Sequence, residues 1–346
     1  MERQPSSPRQ RLVIGLVGAL VLIGLLVVAL DWHNVRQILG QTDWRLVPLA
    51  LVFTAISYSC ISYGFAIANQ VFDVRMRMQD LTEIGFVSTI LNHLLSAGGA
   101  AGFSVRFLLM GSQGAKLKDI VASSLFYSYF SSLGMLALLP IGLVYLYVRH
   151  PLSQGAAVGV AVGAVVLILA FLMATALVFS DSLRSRMLRG VNRVARAAVH
   201  RDIGPSLDEF DATMAQGVAA LRKRPSFLVV LVGSVAVDWA SSVAALWFCF
   251  AALAQPLNPG VLLTGFAIGI TAGVLSMIPG GLGVQEGSMA GIYALLGVPL
   301  QQAVLAAILF RVVYYLIPYV VSLGFYWHLL RRVSRDQPPA NGMESV

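Results

Sequence analysis

Apolar residues run along this chain in long uninterrupted blocks. The blocks lie at 12–30, 46–69, 121–148, 156–179, 226–254 and 301–330. Each is long enough to cross a hydrocarbon layer of about 30 Å as an α-helix. The apolar-out, polar-in alternation of a membrane β-barrel is absent. Two further apolar stretches, 84–110 and 261–297, are interrupted in the middle, by "SAGGAAG" and "PGGLG". The pattern predicts an all-α polytopic membrane protein. It has about six full spans plus two re-entrant helical hairpins that enter the bilayer and return to the side they came from.

The two interrupted stretches share a plan. "LNHLLSAGGAAGFSVRFLLM" precedes "GAKLKDIVASSLF", and "LSMIPGGLGVQEGSMAGIY" precedes "GVPLQQAVLAAILF". Both read as apolar stretch, glycine turn, short helix, glycine, polar pair and long span. With the spans in this order the hairpins enter from opposite sides, so the halves 12–180 and 226–330 form an inverted repeat. Inverted repeats with broken helices are typical of transporters, whose sites lie at the midplane between the repeats.

The polar segments give a topology. Placing 1–11, 70–83, 112–119, 181–225 and 331–346 in the cytoplasm puts 19 of the 24 Lys and Arg residues there, with Arg36, Arg45 and Arg149 opposite. That is the asymmetry of the positive-inside rule, and it sets both termini inside. The 19 apolar residues after "RQPSSPRQR" read as a retained signal anchor. Segment 181–225 holds nine Lys or Arg and five Asp or Glu. Leu183, Met187, Val191 and Val194 form an apolar stripe among arginines, which predicts an amphipathic helix on the inner membrane surface that binds anionic lipids. Ser206 and Glu209 have capping-box spacing, and Phe210, Met214, Val218 and Leu221 form a second stripe.

Composition narrows the classes. The chain is 58% hydrophobic and 12% charged, about half the charged fraction of a soluble domain. The net charge of +8 is explained by the loops, and no basic patch interleaved with aromatics points to nucleic acid. Cys60 and Cys249 both lie in apolar spans, and no histidines pair at metal-ligand spacing, so neither metal nor cofactor is expected.

Candidate chemistry sits at the interruptions. Gly98, Gly99, Gly102, Gly280, Gly281 and Gly283 permit tight turns and close backbone approach, and Pro279 ends the incoming helix. Each turn starts a short helix whose free N–H groups suit an anion such as a phosphate. Four charges fall at membrane depth: Arg106, Asp238, Glu286 and Arg311. Such residues usually face a partner or a wet cavity. Glu286 and Arg311 read either as a head-group or proton-coupling site, or as an ion pair locking hairpin to bundle. Arg106 reads as a phosphate ligand or as a side chain snorkelling to the surface. Asp238 reads as paired with an arginine or bonded locally. Asn92 and His93 precede the first turn and are candidates for touching substrate. Tyr314, Tyr315 and Tyr319 read as packing or an interfacial belt, or as a cavity wall. Two glycine series, 155/159/163 and 265/269/273, have the spacing for close helix packing, within the chain or in a homo-oligomer.

"NHLLSAGGAAGFSVR", "PGGLGVQEG" and the arginine of "AILFRVVYYLIPY" resemble the flippase-like membrane region of the lysylphosphatidylglycerol synthase family. The resemblance spans about 12–330 and is most specific at PGGLG-x-x-E. It implies lipid translocation in a bacterial cytoplasmic membrane. It places the functional residues at Asn92, Gly98, Gly99, Gly102 and Arg106, and at Pro279, Gly280, Gly281, Gly283, Glu286 and Arg311. The first turn carries Ser96 where many relatives have proline. No soluble synthase domain is expected in these residues, so aminoacyl transfer is not. The expected activity is translocation of a phospholipid or lipid-linked head group. The alternatives are a membrane-embedded glycosyl- or lipid-modifying transferase, or a non-transporting partner subunit.

Overall fold

A computed structural model describes residues 32–72, 74–95, 100–149, 154–199 and 204–336. The proposed first span 12–30, the N-terminal 1–11, Gly98 and Gly99 of the first turn, and the tail beyond 336 lie outside the described residues. Every regular element among the described residues is helical.

A short helix, α1 (Trp32–Gly40), lies in the polar segment between the first two apolar blocks. Asp43 then accepts a bond from the Arg45 N–H at 3.0 Å and opens a single 3-10 turn. That turn leads into α2 (Val47–Val71), followed by α3 (Met78–Leu95), α4 (Ala100–Gly111), the 33-residue α5 (Leu117–Arg149) and α6 (Gln154–Phe179). The charged segment folds into α7 (Asp181–Val199) and α8 (Gly204–Lys223). Pro225 at the first helical position starts α9 (Pro225–Ala252). Pro259, with Asn258 accepting from the Gly260 N–H at 2.9 Å, starts α10 (Pro259–Leu275). Proline suits this position because its missing N–H would have no intrahelical partner there. A turn at Pro279–Gly281 leads to α11 (Val284–Leu295). The last block is α12 (Leu300–Arg311), one π-helical turn (Val312–Leu316) and α13 (Ile317–Asp336).

Among the described residues, four helices are long and apolar enough to cross a bilayer: Trp44–Val71, Leu117–Tyr145, Pro225–Ala252 and Leu300–Leu329. Their outward faces carry exposed apolar side chains such as Val52, Val144, Val229 and Val320. Lipid removes the cost that water would impose on such a surface.

Helices α2 and α9 form the central pair. The packing around them falls into two matching sets. Helix α3 folds back on α4, as α10 folds back on α11. Helix α3 also packs on α13 of the other half, as α10 packs on α5. Finally, α2 contacts α5 as α9 contacts α12. The similarity between the two halves is therefore carried by their packing partners as well as by their sequences.

Small residues act where the second broken segment folds back on itself. A Cβ on Gly265 would lie 2.2 Å from the Tyr293 ring, and one on Gly269 would lie 2.0 Å from Met289, so α10 and α11 meet backbone to side chain. The other glycine series behaves differently. Positions 155, 159 and 163 on α6 have nothing within 4 Å among the described residues, so no close packing there is made by them.

The charged segment divides in two. The α8 stripe of Met214, Val218 and Leu221 is buried against the bundle. The α7 residues Met187, Val191 and Val194 are exposed. Arg184 is buried and ties the segment together. It donates to Asp181 at 2.7 Å, to Asp211, and to the Val178 carbonyl at 3.0 Å.

Candidate functional site

The second broken segment is closed by its own charges. Gly280, Gly281 and Gly283 have φ of 64°, 60° and 78°, a left-handed backbone that a side chain would strain. Glu286 lies in the first turn of α11, and its Oε2 accepts the Gly283 N–H at 2.7 Å. Its Oε1 meets Arg311 through both Nε and Nη2. Arg311 also donates from Nη1 to the Gly280 carbonyl at 2.9 Å, and its guanidinium stacks on Tyr315 at 4.4 Å. The pair foreseen from chain order is therefore formed, and it joins the turn to the last apolar block. The negative end of Glu286 also fills the N-terminus of α11, where the helix dipole favours a carboxylate.

In the first half, α4 is pressed onto α3. A Cβ on Gly102 would lie 2.6 Å from the Ser88 carbonyl and 2.9 Å from Asn92. One turn later Arg106 points into the bundle rather than to the surface, only 8% exposed. Its Nε donates to Ser88 Oγ at 3.0 Å, and its guanidinium stacks 4.4 Å over Phe65. No described ion pair includes Arg106. Snorkelling is thus replaced by burial against aromatic rings. The Asn92 side-chain oxygen is buried with no partner among the described residues.

The two broken segments meet. The Pro279–Gly281 turn packs on α3. The His93 ring lies 5.7 Å from the Tyr315 ring. Gln285 donates to Tyr315 Oη at 3.1 Å. Tyr58 Oη donates to the Tyr314 carbonyl at 3.0 Å and lies 3.2 Å from His93 Nδ1. The π turn is what allows this, since it brings the consecutive Tyr314 and Tyr315 both into the interior. Such single-turn widenings are frequent at functional sites. The tyrosines are therefore interior residues rather than an interfacial belt.

Asp238 forms a separate polar centre, on α9 at its contact with α2. Ser57 Oγ donates to its Oδ1 at 2.5 Å. Tyr314 Oη lies 2.6 Å from Ser57 Oγ and 2.7 Å from Ser242 Oγ, and Ser242 donates to the Asp238 carbonyl at 2.9 Å. Among the described residues no arginine pairs with Asp238, and its partners are hydroxyls, Ser57 from α2 and Ser242 from its own helix.

A groove of about 690 Å³ opens between α2, α3 and α13. Its wall includes Leu51, Phe86, Val321 and Phe325, with Tyr58 also lining it and Glu83 on its border. Glu83 Oε2 lies 3.2 Å from His328 Nδ1. Because Tyr58 also touches His93 and Tyr314, the apolar groove adjoins the polar interior.

Sequence reasoning missed Ser57, Tyr58, Ser88, Ser242 and Gln285. A signal existed for three of them, Ser57, Tyr58 and Ser242. "AISYSCISYG" and "DWASS" put several hydroxyls into spans otherwise apolar.

Long apolar helices in two matching sets, with a polar network held in their core, define a polytopic α-helical membrane protein. The chain belongs to the lysylphosphatidylglycerol synthase TM region family, which it matches over residues 12–322. It is similar to a UPF0104 membrane protein of Methanothermobacter thermautotrophicus, 23% identical over 331 residues, covering 91% of this chain and 92% of that one. A second such protein of the same organism is 19% identical over 310 residues, covering 87% and 89%. Part of the chain is similar to a phosphatidylglycerol lysyltransferase of Staphylococcus aureus, 29% identical over 87 residues, which are 25% of this chain and 10% of that enzyme.

Proposed function

We propose that the protein translocates a phospholipid or a lipid-linked head group, working as a flippase-like carrier in a bacterial cytoplasmic membrane. One observation carries this reading: a groove of about 690 Å³ on the bundle's side reaches Tyr58, which belongs at once to the groove wall and to the polar junction of the two broken segments. An amphiphile needs such continuity, because its acyl chains stay in an apolar channel while its head group crosses through a polar one. In this reading the two helix–turn–helix pairs are re-entrant and inverted, with both termini in the cytoplasm.

The head-group phosphate sits between the broken segments, near Arg106 and Arg311. Among the described residues Arg106 is a buried cation without a carboxylate, which an anionic ligand would compensate. Arg311 is held ready by Glu286, and a phosphate competes with that carboxylate for it. A cationic head group would find Glu286 released in the exchange. The exposed α7 stripe and its arginines rest on anionic lipid.

The test is head-group translocation of labelled anionic and zwitterionic phospholipids in proteoliposomes, comparing wild type, Arg106→Gln and protein-free vesicles. Melting of each variant in detergent shows whether it is folded. Wild-type transfer above the vesicle background, lost in a folded Arg106→Gln, supports the reading. Transfer at the background rate for every lipid, from a folded wild type, refutes it.

A further inference from the structure

We propose that Asp238 is a proton-exchanging group, and that its loading and release couple proton movement to lipid movement. The coupling half of this statement rests on the translocator reading above; the proton site itself does not.

Glu286 is poorly placed to exchange a proton. Both of its oxygens are engaged, one by Arg311 and one by the Gly283 N–H. A neutral group there would break the ion pair with Arg311. Asp238 differs in each respect. It is 7% exposed, and no described ion pair includes it. Its carboxyl accepts from Ser57, which in turn touches Tyr314, which touches Ser242, itself close to Asp238. This is a chain of hydroxyls, each able to donate and to accept. With the carboxyl ionised, Ser57 donates to it; with a proton taken up from water, the carboxyl donates to Ser57, Ser57 to Tyr314 and Tyr314 to Ser242, whose own O–H stays on the Asp238 carbonyl, with no heavy atom moving.

The spacing selects the proton over a metal ion. The oxygens of Asp238, Ser57, Tyr314 and Ser242 stand 2.5–2.7 Å apart in succession, which is direct hydrogen-bond contact. Oxygens sharing a hard cation at about 2.4 Å stand farther apart than that, because the ion lies between them.

The titratable groups around Asp238 come from several elements. Tyr58 and Cys60 face it from α2, Tyr127 from α5, and Tyr314 from the π turn. The nearest basic groups are engaged elsewhere: Arg106 with Ser88 and the Phe65 ring, Arg311 with Glu286, and His93 with Tyr58. The location fits a coupling role. Asp238 and Ser57 bridge α9 and α2, the central pair to which both halves attach. Tyr314 is the neighbour of Tyr315, which stacks on Arg311. A proton on Asp238 changes the bond between the halves at one end of the π turn, and a phosphate acts at the other.

The experiment has two arms. In the first, infrared difference spectra are taken across a pH titration of purified wild type, Asp238→Asn and Ser57→Ala. A carboxylic C=O band that titrates in wild type, vanishes in Asp238→Asn and shifts in Ser57→Ala supports the proton site. A band that persists unchanged in folded Asp238→Asn overturns it. In the second, lipid transfer in proteoliposomes is measured with and without an imposed pH gradient. Stimulation by the gradient in wild type and its loss in Asp238→Asn supports coupling, whereas equal stimulation in both overturns it. If wild type transfers no lipid under any gradient, the translocator reading and the coupling fall together. The infrared arm then still decides the proton site.

Discussion

Replacing Glu286 with Gln tests whether the ion pair organises the second broken segment. The side chains of Glu286 and Arg311 are only 10% and 13% exposed, so the variant leaves a nearly buried guanidinium without its counter-charge. Breaking a buried pair on one side costs about 3–5 kcal/mol. Two contacts survive the change. The Gln carbonyl can still accept the Gly283 N–H, and Arg311 still donates to the Gly280 carbonyl. The expected loss is therefore near the bottom of that range, about 3 kcal/mol. The double variant Glu286→Gln, Arg311→Gln removes the stranded charge and recovers part of the loss, so the two single effects do not add. A double-mutant cycle on unfolding in detergent should give a coupling of about 2 kcal/mol. Single variants within about 1 kcal/mol of wild type, with additive effects, would refute the reasoning. They would mean that water or lipid head groups already screen the pair.

Four further outcomes follow from local geometry. Gly265→Ala drives a methyl into the Tyr293 ring, which is held by its bond to the Leu262 carbonyl at 2.9 Å. It should lower stability by about 1–3 kcal/mol, while Gly163→Ala, with open space around it, should leave melting unchanged. Gly102→Leu should separate α4 from α3, read as a gain in labelling of a cysteine placed on their contact, because the Ser88 carbonyl cannot move aside. Arg184→Ala strands Asp211 and frees the α7–α8 segment, which limited proteolysis should detect as faster cleavage there. The Glu209 carboxyl is held below its ordinary range by the bond from Lys118 at 2.8 Å. Its contribution to docking α8 is present above the usual carboxylate range and lost as pH falls through the folded value. Cleavage of this segment should therefore rise on acidification below that range, and less so in Glu209→Gln.

The hydropathy pattern determined much of this protein on its own. A run of apolar residues long enough to span a bilayer has little choice but to be a helix, because lipid offers no partner to its N–H and C=O groups. The blocks read at 46–69 and 226–254 accordingly return as Val47–Val71 and Pro225–Ala252. The break at "PGGLG" was legible for the same reason, since proline and left-handed glycines cannot continue the helix. Glu286 and Arg311 were legible because a charge in an apolar run stands out, and because they lie only 25 positions apart in a chain that folds back on itself.

Tertiary structure alone decided which polar groups meet. Ser57 and Asp238 lie 181 residues apart, and Ser57 and Tyr314 lie 257 apart, so no local spacing announces them. Serine and tyrosine in a membrane span are also common enough to pass as packing. Arg106 shows the same limit from the other side. Its charge was visible in sequence, but a surface arginine and a buried one look alike until α2 and α5 supply Phe65 and Tyr127 as its walls. The π turn is a third case. "VVYYL" reads as ordinary helix, and only the packing of the last block against both hairpins selects the one extra residue that turns two successive tyrosines inward. A sequence written in apolar runs fixes where helices form, because that is a contest between backbone and lipid. It leaves open which helix faces which, because that is settled by side-chain contacts made across the whole chain.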